Sequence, residues 1–128
     1  MLQTSRYIAP VTNRKRVRIG AALSFLAICL GAFGAHGLGE LLKANNTTDI
    51  WETAVFYHFI HAVILFILPQ LNSMNSKAWM SLLTGIVVFS GSLYVLALSQ
   101  IKILGAITPI GGLAFLIGWG ILFFHKAE

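Results

Sequence analysis

The chain has 128 residues, a formal net charge of +5, 57% hydrophobic residues and only 10% charged residues. A soluble domain carries roughly 25% charged residues, so this composition excludes a water-soluble monomer. The abundance of Leu, Ile, Val and Phe excludes a disordered chain, and the length permits one domain at most. The single cysteine, Cys29, cannot form an internal disulfide, nor a thiolate-based metal site by itself.

Four long uncharged stretches follow one another, of 21, 24, 24 and 23 residues between successive formal charges. A helix needs about 20 apolar residues to cross the roughly 30 Å hydrocarbon layer of a membrane. The apolar runs are continuous, whereas the strands of a membrane barrel alternate in polarity. We therefore predict an all-α membrane protein with one domain at 19–125, a four-transmembrane-helix bundle whose helices lie near 19–38, 54–71, 78–98 and 103–124.

Local residue types suggest where these helices begin. Asp49 is a predicted N-cap of the second helix, with Glu52 three residues later as its capping-box partner. Ser76 is a predicted N-cap of the third helix. Pro109 allows two interpretations of the fourth helix: it kinks a helix that begins near 103, or it lies in the first turn of a helix that begins later.

The basic residues predict the orientation in the membrane. Lys43 and Lys102 fall on one side of the four spans, and the other seven basic residues fall on the opposite side. An excess of Lys and Arg marks the cytoplasmic face, so we expect a multi-pass protein of the cell (inner) membrane with both termini in the cytoplasm. Residues 1–18 then form a basic cytoplasmic tail, and 126–128 form a short cytoplasmic end. The charge suits anionic lipid headgroups, and no basic face with nucleic-acid-reading side chains accompanies it, so we expect no nucleic-acid partner.

The first span has an alternative interpretation as a cleavable signal peptide that ends near residue 34. Its basic region lies far from the start of the chain, and its apolar run is long for such a peptide. Both properties favour an uncleaved helix.

Small residues recur at helical spacing along three spans. Membrane helices pack where small side chains allow their backbones to approach. These faces therefore predict packing within one bundle or, as an alternative, a homo-oligomer interface. They comprise Ala27, Gly31 and Ala35, then Ser81, Gly85 and Ser92, and finally Gly111, Ala114 and Gly118.

Histidines at membrane depth are the candidate functional residues. His58 and His61 lie three residues apart on one face of the second helix, and His36 ends the first. Ionisable residues at this depth normally face the interior, so the three histidines are weak candidates for a metal or haem site. A haem would need His36 or His125 as a second ligand. The competing interpretation is a pair of neutral histidines bonded to backbone carbonyls or hydroxyls.

Other chemistry has little support. A Ser/His/Asp triad is not expected, because Ser81, Ser90 and Ser92 lie in apolar helices and the only aspartate begins a helix. No glycine-rich phosphate loop follows a strand. Tyr57, four residues before His61, can supply a hydrogen bond across one turn. Glu52 is a helix cap or, less simply, part of a polar transport path with His58 and His61. We predict no enzymatic activity and no cofactor.

Four motifs in order resemble a known family. They are GAFGAHG at 31–37, WETAVFYH at 51–58 followed by His61, SGSLY at 90–94, and TPIGG at 108–112 with GW at 118–119. Together they resemble the small membrane proteins grouped as domain of unknown function 423, similar to the bacterial YgdD proteins and the eukaryotic transmembrane protein 256. The resemblance implies a multi-span membrane protein with an uncleaved first span, and it implies no particular activity.

The functional hypothesis is a structural or accessory membrane protein that acts through helix packing. We expect its partners to be membrane lipids, a second copy, or another membrane protein. Two alternatives remain: a redox component that holds metal or haem on His36, His58 and His61, and a small transporter or channel subunit.

Overall fold

The computed structural model describes residues 11–126, which are helical apart from short turns. Four stretches are long and apolar enough to cross a membrane: Asn13–Ala35, Thr48–Gln70, Ser76–Ser99 and Leu104–Phe124. The prediction of an all-α protein with four spans is confirmed. The helices are α1 (Val11–Ala35), α2 (Gly39–Ala44), α3 (Thr48–Ile67), α4 (Ser76–Gly85), α5 (Gly91–Ser99) and α6 (Leu104–Phe124); a 3₁₀ turn (Leu68–Gln70) extends α3, and a π-helical segment (Ile86–Ser90) joins α4 to α5.

The ends of the first span differ from the sequence expectation. Helix α1 begins at Val11, so residues 11–18 are helical and carry their basic side chains on a helix. Lys and Arg are good helix formers, which allows the helix to extend beyond its apolar part. At its other end α1 stops at Ala35, and the turn at 36–38 leads into α2. Glycine at 37 and 39 disfavours a continuous helix there.

Two predicted caps are wrong. Asn75, not Ser76, caps α4, because its side chain accepts the backbone N–H groups of Lys77 and Ala78. Helix α3 is preceded by Thr47, and Asp49 lies inside its first turn.

Of the two interpretations of Pro109, the structure agrees with the helix that begins near 103, since α6 begins at Leu104 and contains Pro109 in its interior. The hydroxyl of Thr108 donates to the Leu104 carbonyl at 3.1 Å, which supports the turn before the proline.

Helix α3 and the third span form the middle of the molecule. Helix α1 packs along α3, and α6 packs along α4, the π-helical segment and α5. At the end where α1 begins, the Arg16 guanidinium donates to Ser76 Oγ at 2.9 Å and lies 5.4 Å from the centre of the Trp79 ring. At the opposite end, Asn45 and Thr47 both donate to the Ala97 carbonyl. These contacts join sequence-distant parts of the chain at both ends of the spans.

Glycines allow the closest approaches between helices. A Cβ atom on Gly20 would lie 2.6 Å from Cα of Phe66, and a Cβ atom on Gly111 would lie 2.6 Å from Cα of Phe89. Both neighbours are backbone atoms, which cannot move aside as a flexible side chain can. The glycines therefore bring α1 against α3 and α6 against the π-helical segment, where lipid supplies no hydrophobic drive for association.

We predict that Gly111→Ala lowers the free energy of unfolding by about 1–3 kcal/mol, the usual cost of an overpacked contact. Gly120→Ala is the matched control in the same helix, because a Cβ atom there would meet nothing within 4 Å. Its effect should lie between no change and a gain of about 1 kcal/mol, because alanine is the better helix former. Unfolding in mixed micelles, followed by circular dichroism, measures both variants. Equal losses would contradict the close α6 contact.

Candidate functional site

His58 is enclosed between α3 and its neighbours, with only 2% of its surface exposed. Its Nδ1 atom lies 2.9 Å from the hydroxyl of Tyr94 on α5. The Tyr94 ring packs edge-on against Trp51 with centroids 4.8 Å apart, and the Trp51 indole donates to the Leu30 carbonyl on α1. The other ring nitrogen of His58, Nε2, is buried and has no hydrogen-bond partner within the described part of the chain. His58 therefore belongs to the contact of α3 with α1 and α5.

His61 has partners at both ring nitrogens. Its Nδ1 lies 2.7 Å from the carbonyl oxygen of Tyr57, and the indole N–H of Trp119 on α6 donates to Nε2 at 3.0 Å. An indole N–H can only donate and a carbonyl oxygen can only accept, so the proton is on Nδ1 and the ring is neutral. Tyr57 supplies the expected bond across one turn, but through its backbone. The neutral-histidine interpretation describes His61 well.

Aromatic rings surround His61 and line a groove between α3 and α6. The Phe115 ring stacks on the imidazole with centroids 3.9 Å apart. Tyr57 and Phe89 pack beside it with centroids 4.7 Å apart. We call this depression, of about 570 Å³, the aromatic groove. Phe89 belongs to the π-helical segment, a feature that is often found at functional sites. The two nitrogens of His61 are already bonded, so the groove offers mainly ring faces.

The three candidate ligands do not come together. His36 is exposed in the turn after α1, whereas His58 and His61 are buried on α3. Among residues 11–126 no group of three His, Cys, Asp or Glu side chains could hold a metal ion. His125 lies at the opposite end of the spans from His36, where its Nε2 is 2.9 Å from the Ser73 carbonyl. The structure thus provides no geometry in which His36 completes a site with the other two.

A polar path through Glu52 is likewise not assembled. Glu52 is exposed on α3, at the mouth of a groove on the α1 side. His61 lines the aromatic groove on the α6 side, and His58 is enclosed beside Tyr94. The three side chains therefore face different surroundings.

The larger depression lies between α1 and α3, and we call it the α1–α3 groove. Its volume is about 810 Å³, and its walls are apolar along most of their length. Small residues of α1 form one wall, and Val55, Phe56 and Phe59 of α3 form the other. Lys43 of α2 and Glu52 of α3 lie at one end. This groove was not expected from the sequence.

The small-residue faces are used in different ways. Cβ atoms on Gly85 and Gly118 would collide with Phe115 and Leu82 respectively, so these glycines serve packing between the third span and α6. On α1, Ala27 is fully buried, whereas Ala35 is exposed and lines the α1–α3 groove. The spacing of small residues alone could not separate these two roles.

Comparison with known proteins identifies the family. Residues 30–112 match the family model described as "Protein of unknown function (DUF423)". The chain belongs to the DUF423 family. It is an integral membrane protein, as the resemblance implied.

Curated relatives in this family are membrane proteins of similar length. The chain is 46% identical over 108 residues to the UPF0382 membrane protein YwdK of Bacillus subtilis (strain 168), covering 79% of this chain and 86% of the relative. It is 46% identical over 109 residues to a UPF0382 membrane protein of Staphylococcus epidermidis and 42% identical to one of Staphylococcus aureus (strain bovine RF122), covering in both cases 81% of this chain and 88% of the relative. No solved structure matches the chain. None of these names refers to an enzymatic activity.

We predict a single neutral tautomer for His61. In ¹⁵N-histidine-labelled protein in micelles, NMR should show a protonated Nδ1 and an unprotonated Nε2 for this residue, because Tyr57 and Trp119 impose that pattern. Trp119→Phe removes the donor and should shift the Nε2 resonance, while the His125 resonances serve as an internal control. A protonated Nε2 in the unchanged protein would contradict the geometry.

Proposed function

We propose that this protein is a non-enzymatic accessory protein of the cell membrane that acts by holding another membrane component against α1 and α3. The α1–α3 groove carries the proposal, since it is larger than the aromatic groove and opens on an apolar surface. Its contents would be bound without chemical change. The buried histidines would serve the packing of the helices, because their bonds run to Tyr94, Trp119 and a backbone carbonyl.

The one-sided packing of α1 supports this proposal. Within the most apolar 18 residues of the first span, 11% of the residues are buried, whereas the corresponding share is 33% in the second and third spans. Large side chains such as Phe25 and Ile28 are 72% and 62% exposed. A partner that covers an apolar surface already facing lipid gains little hydrophobic free energy. Binding on such a face therefore depends on complementary shape. The α1–α3 groove provides that shape.

The proposal places both termini in the cytoplasm. A green fluorescent protein fused after Glu128 should fluoresce, and alkaline phosphatase inserted after Asn46, between α2 and α3, should be active outside the cytoplasm. The reason is the excess of Lys and Arg on the side of the termini. Swapping the two reporters is the control, and an active phosphatase at Glu128 would reverse the proposed orientation.

Photo-crosslinking in living cells tests the function itself. Benzoylphenylalanine at Ile28, which lines the α1–α3 groove, should yield a discrete product, because a bound component stays beside it. Val87 is the matched control, since it is 63% exposed against 62% for Ile28 and lies outside both grooves. A phospholipid or a membrane protein in the product would each support the proposal. The same products from both positions would contradict it.

A further inference from the structure

We infer that the α1–α3 groove binds one acyl chain of a phospholipid whose headgroup carries an ammonium group. This inference rests on the proposed function and names the component that is held. It depends on three features of the groove: its length, its apolar walls and the charges at one end.

The length of the groove matches one leaflet of a membrane. On α3 it extends from Thr48 to Ile60, about 18 Å along a helix, with Thr48 at the charged end. One leaflet of a roughly 30 Å hydrocarbon layer is about 15 Å thick. A transmembrane helix of a partner would lie across both leaflets and would extend beyond this groove. An acyl chain is confined to one leaflet, so the length favours lipid over a protein helix.

The walls of the groove suit a flexible hydrocarbon chain. The α3 wall consists of exposed apolar side chains, those of Phe56, Phe59 and Ile60. On the α1 wall, the small residues Gly31 and Ala32 leave space between the two helices. Further along the two helices, Gly20 lies against the backbone of Phe66, which leaves no room between them. The groove therefore ends before this contact, on the side away from Glu52.

The charges at the polar end indicate the headgroup. Lys43 already lies 3.6 Å from Glu40, whereas Glu52 forms no ion pair with any side chain in the described part of the molecule. Asp49 lies one turn before Glu52 but does not line the groove, so Glu52 is the acidic side chain that a headgroup would meet. An ammonium group is the complement of Glu52, and Lys43 can contact the phosphate beside it. A glycerol headgroup carries the same phosphate but offers no cation to the carboxylate of Glu52.

The test uses the full chain reconstituted in phosphatidylglycerol vesicles. These contain a small fraction of either phosphatidylethanolamine or phosphatidylglycerol with a diazirine in the acyl chain. After illumination, mass spectrometry maps the labelled residues. We expect the ethanolamine lipid to label 27–35 and 52–60 about two- to fivefold more than the glycerol lipid, the range that one exposed ion pair supplies. Helix α6 should show no preference.

Charge variants identify the group that makes the selection. Glu52→Gln keeps the size of the side chain and should remove the preference for the ethanolamine lipid. Asp49→Asn removes the same charge at the same end but does not line the groove, so the preference should remain. Ala32→Leu fills the groove and should lower labelling by both lipids. Circular dichroism verifies that each variant is folded.

Two outcomes would overturn the inference: equal labelling of the groove by both lipids, or equal effects of Glu52→Gln and Asp49→Asn. If the Ile28 crosslink then contains a membrane protein, the proposed function stands and only the lipid assignment fails. If Ile28 also gives the same products as Val87, both fail together.

Discussion

The structure depends on satisfying polar side chains where lipid offers no hydrogen-bond partner. Backbone carbonyls of neighbouring helices meet this need. The Trp79 indole donates to the Leu65 carbonyl, the Ser90 hydroxyl to the Ala54 carbonyl, and the Ser81 hydroxyl to the Ala114 carbonyl. Each such bond joins two spans at a defined height, so it sets their relative register as well as satisfying a donor.

Close backbone contact and these hydrogen bonds support each other. A short donor such as serine reaches a carbonyl on the next helix only if the two backbones are near, and glycines at the crossings permit that distance. The π-helical segment lies at the centre of this arrangement, because Phe89 contacts Gly111 on α6 while Ser90 contacts α3. Loss of either kind of contact would loosen the other.

Helix α1 is the exception, and the proposed function follows from it. The third span contacts both the second and the fourth, whereas α1 packs mainly along α3 and has the smallest buried share of the four spans. Where the two helices diverge, the groove remains, with Lys43 and Glu52 at its polar end. In the proposed function, charges at the depth of the headgroups select one of the lipids that surround the protein.

The sequence by itself determined that the chain lies in a membrane, how many spans it has, and which histidines lie at membrane depth. These follow from the hydropathy and charge of consecutive residues, which do not depend on which helices become neighbours. It also supplied the four motifs by which the family could be recognised. The sequence predicted the helix ends less accurately. Asp49 and Ser76 are suitable cap residues, but Thr47 and Asn75 beside them are equally suitable and precede the helices in the structure.

Only the tertiary structure decided which side chains meet. Trp119 is 58 residues from His61, and Tyr94 is 36 residues from His58. Nothing in their local patterns pairs them, because the pairing depends on the order and rotation of helices whose surfaces are similarly apolar. The same reason explains why three histidines of suitable type do not form one site, and why the α1–α3 groove could not be foreseen. A groove is a property of the space between two helices, which neither helix encodes alone.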